Sequence, residues 1–286
     1  NPCIKTAMKA SPHTFDSLLS DKLTTDMLPN FIYGSYTGLA VTVFGLVPTI
    51  TAMFGKSILP SLAESCAKND KKAMQSGLTK MLIVTSIIAI PAGMGIAVLS
   101  EPILRFLFGG RETEIQVCIM PMSILGIAVI FLAIATPCFA ILQTLGKPHK
   151  AIIIMSAGGI IKLFLNIILI RQPIINISGA AISTLVSEVF ICVLSVRSVC
   201  KMTDLKPKVS EIFVKPTYAA ITCSVTAILS HETLTKIAHL QINHRFVTLF
   251  SIGIGSTMYF FCLYLLCETP KNIVNYIFSK KNPQNP

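Results

Sequence analysis

The stretch IQVCIMPMSILGIAVIFLAIATPCFAILQTLG, residues 115–146, contains no aspartate, glutamate, lysine or arginine. A helix needs about 20 predominantly apolar residues to cross a bilayer, and this run exceeds that length. Residues 27–55, 81–100 and 246–267 are equally free of charge. An open sheet cannot satisfy its backbone in lipid, so such runs are read as helices. Working outward from residues 115–146, seven spans are predicted: 35–57, 80–100, 117–144, 150–171, 177–199, 213–231 and 246–267. The composition agrees. Hydrophobic residues make up 52% of the chain, charged residues 13%, and the mean hydropathy is +0.70. A soluble domain carries roughly 25% charged residues. The expected fold class is an all-α membrane protein with about seven transmembrane helices.

A net charge of +11 raises the question of nucleic acid, and its distribution answers it. Lys68, Lys71, Lys72, Lys80, Lys147, Lys150, Arg197, Lys201, Lys206, Lys208, Lys215, Lys271, Lys280 and Lys281 fall on one side of the predicted topology. The loops on the other side hold Arg105, Arg111, Arg171, Lys236 and Arg245. The positive-inside rule then expects a cytoplasmic C-terminal tail and an external N-terminal flank. The charge is topological, suits anionic lipid headgroups, and argues against a nucleic-acid partner. Residues 1–30 contain Pro2, Pro12 and Asp16, show no signal peptide, and begin with Asn1. The expectation is that earlier spans precede this segment in a longer protein.

The segments are expected to divide as follows. Residues 1–32 form an external linker or surface segment. Residues 33–201 form a five-helix part. Residues 202–268 comprise a cytoplasmic amphipathic piece (202–214) and two last spans, and residues 269–286 are a cytoplasmic tail. Prolines inside spans (Pro48, Pro91, Pro121 and Pro137) and the glycines Gly93 and Gly95 are common where membrane helices kink or line cavities.

Chemistry in this chain is expected at two intramembrane charges. Lys162 lies mid-span in AIIIMSAGGIIKLFLNIILI, residues 151–170, where a lysine costs roughly 2.5–3.5 kcal/mol on insertion scales. Glu188, in GAAISTLVSEVFICVL at 179–194, is the only acid deep within any span. Both lie almost equally far from the connection at 172–177. At 1.5 Å rise per residue their depths agree to about 1.5 Å. Asn166, four residues after Lys162, shares its face, Gly158 opens the same stripe, and Ser183, Thr184 and Ser187 surround Glu188. Two readings stand: a buried ion pair that fixes packing, or cavity-lining groups that hold an anionic substrate or relay H⁺ or Na⁺. Lys56 joins the substrate-binding candidates near the cytoplasmic end of the first span, where it also has the reach to snorkel. Arg105 is expected at the outer mouth, facing headgroups or a phosphate.

No catalytic or metal-binding set is expected. His231, His239 and His244 lack metal-ligand spacing, the nine cysteines form no C-x-x-C pair, and no G-x-S-x-G, H-E-x-x-H or P-loop string occurs. No cofactor is implied beyond a coupling ion.

Several strings point to a family. YGSYTGLAVTVFGLVP at 33–48, SILPSLAES at 57–65, QTLGKPHK at 143–150, GGIIKLFLN at 158–166 and INISGAAIST at 175–184 together resemble the stage V sporulation protein B family of polysaccharide exporters. That family lies within the multidrug, oligosaccharidyl-lipid and polysaccharide exporter superfamily. The resemblance covers roughly residues 33–190. It implies fourteen helices in two lobes around a cavity, in the bacterial cell membrane, flipping lipid-linked sugars such as cell-wall precursors. This chain would supply the C-terminal lobe. The missing lobe would come from the same longer chain or from a second one. The last two spans would match the extra helices that form a lipid-tail groove in related murein-lipid flippases. Lys162 matches a basic position of the family pattern. Glu188 has no match there, so its role rests on geometry. A cation-coupled multidrug antiporter and a non-transporting membrane scaffold are the competing functions.

Overall fold

The computed structural model describes residues 27–68, 70–172, 175, 177–203, 210–238 and 244–266. The linker residues 1–26, the 204–209 part of the amphipathic piece, His239 and the tail 269–286 lie outside the described residues. Everything described is helix or short connection. Seven helical stretches are long and apolar enough to cross a membrane, in the order the charge-free runs predict.

The first span is an interrupted rod. It consists of α1 (Leu28–Ser35), a π-helical turn (Tyr36–Ala40), α2 (Val41–Phe44) and α3 (Leu46–Ala67). It starts seven residues before the predicted boundary because Leu28, Ile32 and Tyr36, spaced by four, are all buried in the core. The break falls at Gly45, three residues before Pro48. A proline there has no N–H to offer the preceding turn, and the helix restarts rather than continues.

Helix α4 (Lys71–Val98) is started by the Asp70 side chain, which accepts from the Ala73 amide at 3.0 Å. That is an N-cap bond, satisfying one of the four amides a helix start leaves open. A short helix, α5 (Ser100–Phe108), leads to α6 (Glu112–Thr144). Gly110 and Gly146 have φ of +98° and +70°, a left-handed conformation that favours glycine, and they bracket α6. The chain continues with α7 (Pro148–Leu169), α8 (Ser178–Thr203), a π-turn at Ser210–Val214, α9 (Lys215–Ala238) and α10 (His244–Leu266).

Helix α6 is the axis of the molecule, packing against α3, α4, α5 and α8. Its two internal prolines, Pro121 and Pro137, do not interrupt it. Small residues let it approach α4 closely. A Cβ on Gly93 would sit 2.6 Å from the Gly126 carbonyl, and one on Gly126 would sit 2.8 Å from Ala97 Cα. At this crossing Ser123 Oγ donates to the Ala97 carbonyl at 2.7 Å. Without a hydrophobic force between helices in lipid, such close backbone contact and interhelical hydrogen bonds carry the packing.

The core has two ends. One gathers Leu28, Ile32 and Leu39 with Leu104, Ile115 and Met122. The other gathers Leu62, Leu78, Met81, Ile134, Ile141 and Val199. Ile212 joins this second cluster and is fully buried, so the described end of the 202–214 piece packs inward instead of lying on a surface. The pair α9–α10 is held against α4 through Ile90, Ala219, Ala220, Tyr259 and Leu263.

Candidate functional site

Helices α7 and α8 are antiparallel neighbours, and three rungs join them. Ser187 Oγ donates to the Gly158 carbonyl at 2.8 Å. A Cβ on Gly158 would collide with the Ile191 side chain, so only glycine permits this approach. Two turns along α7, the Ser183 hydroxyl donates to Asn166 Oδ1. At the end near the connection, a Cβ on Gly179 would lie 2.8 Å from the Leu169 backbone. Lys162 stands half-buried between the Gly158 and Asn166 rungs, on the stripe that the i, i+4 spacing predicts.

Glu188 follows Ser187 and is 8% exposed, with no hydrogen-bond partner for its Oε2. No direct ion pair joins it to Lys162, although the Lys162 cation is the charge that acts on its carboxylate. The two groups thus lie near enough for the cation to act on the carboxylate, without the contact that the counted depths would allow. The reason is rotation. Successive helical residues are turned by about 100° from one another, and it is Ser187 that points at α7. Glu188 is one turn before Cys192, which lies with Cys138 of α6 in the core.

The buried face of α8 is polar along most of its length: Ser178, Ser183, Thr184, Ser187, Glu188 and Ser195 are all buried. Of these, Ser183, Thr184, Ser187 and Ser195 bond a neighbouring helix or their own turn. Thr184, beside the Tyr36 side chain of the first span's π-turn, donates to the Ala180 carbonyl at 2.8 Å, and Ser195, beside the Cys138 thiol of α6, donates to the Cys192 carbonyl at 3.0 Å. The Tyr36 contact is not visible in the sequence, where residues 33–48 read only as a string of apolar and small residues.

Lys56 is not part of this assembly. It is exposed on α3, a helix that packs against α4 and α6, whereas Lys162, Asn166 and Glu188 share the α7–α8 seam. Arg105 is committed to its own surroundings: Nε donates to Glu101 at 3.0 Å and Nη1 to Glu112 at 2.7 Å.

A second feature lies on the opposite flank. Between α4, α5, α9 and α10 runs a half-open cleft of about 560 Å³, lined by side chains such as Ile88, Pro91, Ile96, Ala227, Ile252 and Phe260. Its polar groups are few, and one of them, the Tyr259 hydroxyl, donates to the Ile87 carbonyl at 2.9 Å. Among the described residues, no group of three His, Cys, Asp or Glu side chains is close enough to hold a metal ion.

Comparison with known proteins agrees with this architecture. The lipid II flippase MurJ of Bacillus subtilis is 26% identical over 136 residues, which is 48% of this chain and 25% of that protein. Stage V sporulation protein B of the same organism is 22% identical over 182 residues, 63% of this chain and 34% of that one. The matched part of the chain thus spans 25% to 40% of the length of the curated relatives it matches. The fold is similar to that of a multidrug-resistance transporter of the MATE family, solved in an inward-facing conformation, with a TM-score of 0.52 at 16% identity. That likeness covers 88% of this chain and 62% of the other. The model of the lipid II flippase MurJ family matches residues 31–254, most of the length, with five of the seven spans in full and parts of the first and last, and the chain belongs to that family.

Proposed function

We propose that this chain is the C-terminal lobe of a flippase that moves a lipid-linked oligosaccharide across the membrane by alternating access. The observation that carries the reading is Lys162, a half-buried cation in the middle of an otherwise apolar helix, with no direct ion pair. A charge so placed is costly unless it faces a partner or a watered cavity. A pyrophosphate-linked sugar headgroup is such a partner. The apolar cleft along α4, α9 and α10 has the chemistry to shelter an apolar chain while the headgroup crosses, and Asn166 adds a polar group one turn from the cation. Lys56, on α3, would meet the headgroup only at a mouth of the path. The second lobe would come from the same longer chain or from another, and the basic C-terminal tail would lie in the cytoplasm.

Lys162→Ala in the full-length protein, reconstituted in vesicles with a fluorescent lipid-linked oligosaccharide, is expected to lower the flipping rate by at least tenfold. Lys162→Arg, which keeps the charge, should retain most of it. Flipping at the parent rate by the alanine variant would remove Lys162 from the mechanism.

A second reading rests on Glu188. Its buried Oε2 lacks a partner, and a carboxylate in that position suits a coupling Na⁺ or H⁺, as a cation-driven antiporter requires. Transport of organic cations under an imposed ion gradient, abolished by Glu188→Gln, would favour this reading. A purely structural scaffold would instead keep function after Lys162 and Glu188 are exchanged.

A further inference from the structure

Pro91 lies inside α4, and a proline carries no N–H. The carbonyl of Ile87, four residues earlier, therefore loses the amide donor that a regular helix would supply. A side chain 172 positions away fills the gap: the Tyr259 hydroxyl of α10 donates to the Ile87 carbonyl at 2.9 Å. Tyr259 is 3% exposed and Ile87 half-buried, so the bond is sheltered on the tyrosine side, and Ile87, Pro91 and Tyr259 all line the apolar cleft.

The rest of this contact is apolar or small: Ile90, Ala219, Ala220, Cys223 and Leu263. Apolar helix faces gain little from each other in lipid, because acyl chains are as apolar as leucine. Such a face tolerates sliding and rotation. One directional hydrogen bond to a carbonyl that has no other intrahelical donor does not, since breaking it leaves a polar group unsatisfied in an apolar setting. It selects one register of α10 against α4.

We propose that Tyr259 is a positioning residue. Its hydroxyl replaces the amide hydrogen that Pro91 removes, and it thereby fixes α10 against α4 at Pro91 and sets the width of the cleft. The role in substrate handling rests on reading the cleft as the place of an apolar chain. The pairing of the hydroxyl with the proline-freed carbonyl does not.

The test is a double-mutant cycle in the full-length protein, purified in detergent. Two quantities are read: the midpoint of thermal unfolding, and the affinity for a fluorescent polyisoprenyl diphosphate. Tyr259→Phe removes only the hydroxyl. It is expected to lower the midpoint and to weaken the probe by about five- to tenfold, the scale of one unsatisfied buried polar group. Pro91→Ala returns an amide to position 91 and is expected to lower both quantities less. In the double variant the amide serves the Ile87 carbonyl and no hydroxyl is stranded, so the midpoint and the affinity should both recover to within about twofold of the parent in binding terms. Losses that simply add in the double variant would overturn the pairing. Replacement of Tyr259 by para-aminophenylalanine, which keeps a donor, provides a route independent of Pro91: it should restore what phenylalanine loses, and failure to do so would equally overturn it. If the parent protein does not bind the probe, the apolar-chain reading of the cleft falls, and the recovery of the unfolding midpoint alone decides the pairing. If the midpoint recovers while binding does not, the pairing stands and its control of cleft width is overturned.

Discussion

Helices α7 and α8 follow one another in the chain, have 22 and 26 residues, and each carries one charge in its middle. Hydropathy does not separate them: both qualify as membrane spans. Yet only 11% of the apolar stretch of α7 is buried inside the chain, against 50% for α8. Helix α7 turns Ile152, Ile153, Met155, Ile160, Leu163 and Phe164 outward. Helix α8 is rich in Ser, Ala, Gly and Thr, and turns these inward. In water the large apolar side chains would be inside. In lipid they are at home outside, and small and polar residues build the interior because they allow close approach and hydrogen bonding. The two central charges follow the same division: Lys162 is half-buried on the outer helix, and Glu188 is buried on the inner one.

The sharpest way to break this comparison lies in two adjacent glycines of α7. Gly158 faces α8, where a Cβ would strike Ile191, while Gly159 has open space where its Cβ would be. Gly158→Val is expected to destabilise the protein by about 3 kcal/mol, at the upper end for overpacking. Gly159→Val should stay within about 0.5 kcal/mol, as for surface positions generally. Thermal unfolding in detergent measures both, and equal effects would show that α7 does not use one face. Next in size is Ser183→Ala, which deletes the rung to Asn166 and should cost about 1 kcal/mol. An unchanged midpoint would remove that rung from the packing. Smallest is Phe164→Ala on the outward face, expected within about 0.5 kcal/mol. A large loss there would mean that this face is part of the packed interior.

The spans were legible because charge is expensive in lipid: four stood out as runs without Lys, Arg, Asp or Glu, and the other three as apolar runs carrying one to three charges. Their ends were less so. The first span was expected to stop near Lys56, but a lysine exposed on α3 does not end a helix, and the rod continues to Ala67. Residues 1–32 are expected as a linker or surface segment, whereas a helix already begins at Leu28 with Pro29 in its first turn, where a missing N–H costs nothing. The candidate site shows the same limit. Residue counting put Lys162 and Glu188 at similar distances from the connection, since rise per residue is constant. It did not give their facing, since which side of α8 meets α7 is decided by Gly158 and Ser187. The Tyr259–Ile87 bond had only one local sign in the sequence, the proline four residues after Ile87.

The interrupted first span has a consequence of length. Its 40 residues would reach about 60 Å at 1.5 Å per residue, against a hydrocarbon core of about 30 Å. It cannot stand upright and remain within lipid. The π-turn and the break at Gly45 interrupt the rod in its first half, and the segment from Lys56 to the Glu64–Lys68 pair still packs inward, with Leu62 buried against Leu78 and Ile141. The length in excess of the bilayer is therefore held by α4 and α6, so that a reporter group attached near its tip would follow the movement of those two helices.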